Sequence, residues 1–228
     1  MKLNKVLALA LSGVMAVSML AGCSGNPGNG GQEGEGETPI VESGAAASVI
    51  AALDGDTTAK VDFSSSNSLQ TTLETAIRYV GLDSSSNNAG AILAAMKKID
   101  TNLPVDRYLP YVGLSTDTEN TDKVAQSMMN VIALDTYIGA DEAYAARQLA
   151  AMVDGQEVSY VNASSHTYTC ADLLDNSRTY DDGENNGYWY DFDYSGDMAF
   201  ASVTDAVTGQ VTYVVAYTVT RTPTKTNK

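Results

Sequence analysis

Tyr188-Trp189-Tyr190-Asp191-Phe192-Asp193-Tyr194 alternates large apolar with acidic side chains. A period of two is the mark of a strand with one face in the core and one in water. Tyr190, Phe192 and Tyr194 share the face expected to be buried. Trp189, Asp191 and Asp193 share the other. Aromatic and β-branched residues then continue through 198–204 and 210–220, and Asp205-Ala206-Val207-Thr208-Gly209 between them reads as the turn of a hairpin. Pro223 and the polar residues around it predict a frayed tail from Thr222 onward.

Moving toward the N-terminus, the alternation reaches back to about Gln156, where Val158, Tyr160 and Asn162 begin a weaker β pattern. Before that the period is helical. Asn67 is the expected N-cap of a helix with Gln70 three residues on, Leu69, Leu73, Ile77 and Val80 on one face, and Gly81 as the stop. A second helix is expected from Asn88, burying Ile92, Leu93, Met96 and Ile99. Its closing Lys97 and Lys98 suit the negative end of the helix dipole. Residues 121–134 predict a third helix that buries Val124, Met128, Val131 and Ile132, and 140–153 a fourth that ends before Asp154-Gly155. Helices first and strands later predict an α+β fold: an N-terminal layer of about four helices packed on a C-terminal antiparallel sheet. The alternative is a helical subdomain at 45–155 followed by a β subdomain at 156–228.

The first residues decide where this domain works. Lys2 and Lys5 precede an apolar run at 6–20 that is too short for a spanning helix, and Leu20-Ala21-Gly22-Cys23 follows it. This tetrad resembles the lipobox of bacterial lipoproteins. The resemblance implies a signal peptide at 1–22, a Cys23 that opens the mature chain and carries a diacylglycerol on its thiol, and an extracytoplasmic protein held to the cell membrane by that lipid. Residues 24–44 are rich in glycine and glutamate and cannot bury enough apolar surface to order themselves. They are expected to form a flexible tether with a root-mean-square reach of about 25 Å. Residues 45–228 are expected to form one α+β domain.

Removing the signal takes two of the 13 basic residues and none of the 28 acidic ones, which leaves a formal charge of −17. Such a surface repels phosphate backbones, and without a basic cluster a nucleic-acid role is excluded. With Cys23 lipidated, Cys170 has no partner for an intramolecular disulfide, so the fold must rest on its core.

Four groups of residues are candidates for chemistry. His166 and Cys170 invite a nucleophile pair, yet on a strand four residues span about 13 Å, beyond hydrogen-bond reach. Asp191 and Asp193 would stand about 6.5–7 Å apart, compatible with glycosidase carboxylates, but one of them would need an apolar setting to hold its proton. Trp189, in phase with the aspartates, is the candidate ligand-binding aromatic of a carbohydrate-stacking row. Finally, Asp182, Glu184, Asn186, the Tyr188 carbonyl and Asp193 fall at positions one, three, five, seven and twelve of a calcium-loop spacing, with Gly187 at six. That makes Ca2+ the candidate cofactor; a polar hairpin loop is the alternative.

These features predict a lipid-anchored cell-surface module that binds an envelope polysaccharide or protein without catalysis. The alternative is a cell-envelope hydrolase working through Asp191 and Asp193.

Overall fold

In a computed structural model of the chain, residues 40–81, 88–110, 124–135, 140–155, 157–160, 168–170, 178–180 and 188–227 are described. The chain is α+β overall, but its helices are interspersed with strands. The order is β1 (Ile40–Ser43), α1 (Ala46–Ile50), α2 (Gly55–Lys60), β2 (Val61–Ser65), α3 (Asn67–Val80), α4 (Asn88–Ile99), β3 (Leu109–Pro110), β4 (Gln126–Asp135), α5 (Glu142–Asp154), β5 (Glu157–Tyr160), β6 (Tyr168–Thr169), β7 (Arg178–Tyr180), β8 (Tyr188–Thr204) and β9 (Val211–Asn227). The expected N-terminal helical layer on a C-terminal sheet is therefore overturned: β1, β2 and β4, all from the first 135 residues, pair into the same sheet as β8 and β9.

β8 and β9 are the axis of that sheet. Each is 17 residues long, about 56 Å at 3.3 Å per residue, and they pair antiparallel from Thr204 opposite Val211 to Tyr188 opposite Asn227. The tail expected to fray, from Thr222, is thus the last third of β9. At the turn, Asp205 accepts the backbone N–H groups of Val207 (2.9 Å) and Thr208 (2.7 Å), and Gly209 takes a positive φ of 70°. Those bonds hold the Asp205 carboxyl below the usual carboxylate range.

On the far side of β9 lies β4, antiparallel, from Gln126 opposite Arg221 to Asp135 opposite Thr212. The far side of β8 is shared by three short strands in turn: β7, the parallel β2 and the antiparallel β1. β3, β5 and β6 form a separate small sheet.

The third expected helix is β4, and its burial shows why the apolar pattern misled. Met128 and Ile132 face one core; Met129 and Val131 face another on the opposite side of the sheet. A strand covered on both faces reads as a continuous apolar run, which periodicity cannot separate from a buried helix. On one face α3 and α4 supply Leu69, Leu73, Ile77, Ile92 and Met96, packed over Ala199, Ala201, Val214 and Ala216. On the other, α1 and α5 supply Val49, Leu149 and Val153 over a more aromatic surface of Phe63, Phe200, Tyr213 and Tyr217. The ends of α5 hold the α1 segment in place: Glu142 accepts the Ala45 N–H (2.9 Å) and Asp154 the Asp54 N–H (3.0 Å).

Two further expectations are corrected. Ser66, not Asn67, caps α3 and accepts the Leu69 N–H. Gln70, freed from a capping role, spans the gap between β2 and β1: its Oε1 accepts the Phe200 N–H (2.9 Å) and its Nε2 donates to the Phe200 carbonyl (2.8 Å). The side-chain amide takes the place of a strand peptide where no strand is present. Ile99, expected in the core, is half exposed.

Candidate functional site

Along β8, residues with even numbers turn toward α1 and α5 and those with odd numbers toward α3 and α4. On the odd face the composition changes abruptly. From Ala199 to Val203 it is apolar and lies under the helices; Asp191, Asp193, Ser195 and Asp197, beyond them, are all exposed. β9 changes at the matching place, from Val214 and Ala216 to Thr218, Thr220, Thr222 and Thr224. Small apolar residues let α3 and α4 approach the sheet closely. Where the helices stop covering it, aspartate, serine and threonine meet water.

The register turns these positions into rows. Ser127, Thr220, Ser195 and Asp62 lie side by side across β4, β9, β8 and β2, with strands about 4.8 Å apart. Asp193 pairs with Thr222 and Asp191 with Thr224 in the next two rows. Hydrogen bonds knit the rows together: the Ser127 and Thr220 hydroxyls are 2.8 Å apart, Ser64 donates to Asp197 Oδ1 (3.2 Å), and Thr224 donates to Asp193 Oδ2 (3.4 Å). Thr218 Oγ1 also accepts the Asp197 N–H (3.2 Å). Four carboxylates, Asp62, Asp191, Asp193 and Asp197, thus stand exposed among hydroxyls on one sheet face.

The opposite face of the same ribbon is packed. Phe192 is buried at 6% exposure, and the buried Arg221 guanidinium lies 5.5 Å from its ring centroid. Tyr194 packs partly buried against the core, and the Phe63 ring covers Gly196. A Cβ at Gly196 would fall 2.6 Å from the Thr218 carbonyl oxygen, so this position needs glycine for close approach rather than for a turn.

The other sequence candidates are placed as follows. Cys170 is fully buried, and burial together with the Asp154 charge pushes its thiol up to about 12. A thiol so held is protonated at neutral pH and is not a nucleophile. Cys23, His166, Asp182, Glu184 and Asn186 lie outside the described residues, as do the side chains of Tyr188, Trp189 and Tyr190. Of the side chains expected to ligate calcium, only that of Asp193 is described. No group of three or more metal-ligating side chains occurs among the described residues.

Sequence reading found the outward direction of Asp191 and Asp193 and missed Asp62, Ser64 and the threonines of β9. The T-x-T-x-T spacing of Thr218, Thr220 and Thr222 is the signal in the sequence that marks this row. Comparison with protein-family models, with curated proteins and with solved structures finds no match to this chain.

Proposed function

We propose that this chain is a lipid-anchored binding protein of the bacterial cell surface, whose contact surface is the aspartate, serine and threonine face of β8 and β9. The observation that carries the reading is the set of rows Asp62–Ser195–Thr220–Ser127, Asp193–Thr222 and Asp191–Thr224, exposed throughout except at the half-buried Thr220 and Ser127. Short side chains on a hydrogen-bonded sheet lose little conformational freedom on binding, and their oxygens suit a ligand rich in hydroxyl or N–H donors. An envelope polysaccharide or protein has that chemistry.

The lipobox resemblance supports the location, and the point where the tether joins supports the orientation. Ile40 pairs with Thr204 beside the hairpin turn. At 3.3 Å per residue the polar rows start about 23 Å from that point, at Asp197, and reach about 43 Å at Asp191. Residues 40–43, expected within the tether, form β1, and Ile40 lies toward the opposite end of the β8–β9 ribbon from the contact surface. The hydrolase alternative has less support, because Asp191 and Asp193 both stand exposed, whereas a general acid needs an apolar setting.

The test is co-sedimentation of the full-length chain, in detergent, with purified insoluble cell-wall material and, separately, with envelope membranes. Asp191→Asn/Asp193→Asn/Thr222→Val/Thr224→Val should lower retention at least tenfold with an unchanged melting temperature. Equal retention of the variant would refute the assignment of the surface.

A further inference from the structure

We propose that Pro223 keeps the outer edge of β9 closed to a second copy of this chain. The Asp205 N–H donates to the Gln210 carbonyl (2.9 Å) to close the hairpin, and the β8–β9 register is constant from there to Tyr188 opposite Asn227. In an antiparallel ladder the bonding direction alternates, so even-numbered residues of β9 bond to β8 and odd-numbered residues direct N–H and C=O the other way. Two independent contacts agree with this phase. On β8 the outward groups are even: the Phe200 N–H and carbonyl meet Gln70, and its carbonyl also accepts the Gly44 N–H (2.8 Å). On β4 they are odd: the Met129 N–H donates to the Asp106 carbonyl (2.9 Å).

From Thr212 to Arg221 the other side of β9 is occupied by β4. β4 begins at Gln126, opposite Arg221, and the preceding Val124 and Ala125 are not in a strand. Beyond Arg221 the outward positions are Pro223, Lys225 and Asn227, and no strand lies beside them among the described residues. An edge of β-prone sequence with no strand beside it among the described residues is a template for further pairing. Proline lacks an N–H, and at 223 the missing donor falls on the outward side. The ladder to β8 loses nothing: Phe192 pairs with Pro223 without a register shift. At 222 or 224 the same ring would remove a bond to β8. The partner held off is a second copy, because one edge is self-complementary about a two-fold axis and antiparallel pairing of β9 with β9 would join two sheets into one.

The test is sedimentation of the full-length chain in density-matched detergent over a range of concentrations. The wild-type chain should be a monomer. Pro223→Thr should dimerise at least tenfold more tightly, and Pro223→Thr/Lys225→Pro, which moves the ring to the next outward position, should return it to the monomer. A folded Pro223→Thr that stays monomeric at every concentration overturns the proposal, as does a wild-type dimer joined through this edge. Amide exchange of the wild-type chain tests the same phase without any variant. Thr222 and Thr224 should be protected and Lys225 should exchange freely; the reverse pattern overturns the proposal.

Discussion

Replacing Gln70 with leucine removes the one side chain that completes the β8 edge between β2 and β1. The Phe200 N–H, bonded to Gln70 Oε1 at 2.9 Å, would be left inside the protein without an acceptor. The Phe200 carbonyl would keep the Gly44 N–H at 2.8 Å, so its loss is partial. A buried orphaned donor costs about 1–3 kcal/mol and the second bond about 1 kcal/mol. Gln70 Nε2 also donates to Glu74 Oε1 (2.9 Å), which accepts the Ser43 hydroxyl of β1, so the deletion also loosens the first strand. The sum is about 2–4 kcal/mol, or about 4–16 °C in melting temperature for a domain of this size. Differential scanning calorimetry reads the shift, and amide exchange locates it: Phe200 should lose protection while Ala199, bonded within the β8–β9 ladder, keeps it. Thr71→Ala, one residue away on the exposed side of α3, is the control. A change in Gln70→Leu no larger than in that control would refute the claim that a side-chain amide stands in for a strand here.

Three further outcomes are expected. Cys170 holds its proton in the folded chain up to about pH 12 against an ordinary value of 9.0, so the stability it contributes is complete below pH 9 and is lost as pH rises toward 12. The slope is about 1.4 kcal/mol per pH unit. Denaturant titrations of Cys170→Ala should lack the loss that begins at pH 9 and keep the loss from Tyr217, whose burial also raises its phenol; an unchanged alkaline slope would contradict this. Cys23→Ala should release or mislocalise the protein, and recovery of an unlipidated wild-type chain from the medium, cleaved at another site, would contradict the anchor. If the spacing at 182–193 is a calcium site of the weak extracellular kind, calcium at ten times its dissociation constant adds about 1.4 kcal/mol. A melting midpoint higher in calcium than in chelator, with the difference lost in Asp182→Ala, is the expected result; equal midpoints up to tens of millimolar calcium identify an ordinary loop.

How much of this was legible in the sequence depended on how many faces of each element are buried. α3 and α4 have one buried stripe each, and their bounds could be read from the apolar spacing and the stop at Gly81. β4 is covered on both faces, so Met128, Met129, Val131 and Ile132 gave no period to read. β2 is too short for its alternation to stand out, and Val61 and Phe63 are buried by long-range packing against residues such as Val49, Leu149 and Tyr217. β8 was visible at 188–194 and 198–204 but not across Ser195-Gly196-Asp197, where the aromatic and β-branched run is broken. Gly196 is there to admit the Phe63 ring, a contact across 133 residues of chain that no local pattern encodes. The same limit applies to the contact surface. Asp191 and Asp193 declare their face by alternation, whereas their alignment with Thr224, Thr222 and Asp62 is set by long-range register.

The most direct test of the proposed surface is hydrogen–deuterium exchange and carboxylate footprinting of the full-length chain, free and bound to the envelope fraction that retains it. Protection should fall on 191–197 and 218–224 and on the Asp62, Asp191, Asp193 and Asp197 carboxylates, with Asp205 at the hairpin turn beside β1 unchanged. Protection confined to the hairpin turn or to α5, with those four carboxylates equally reactive in both states, would contradict it.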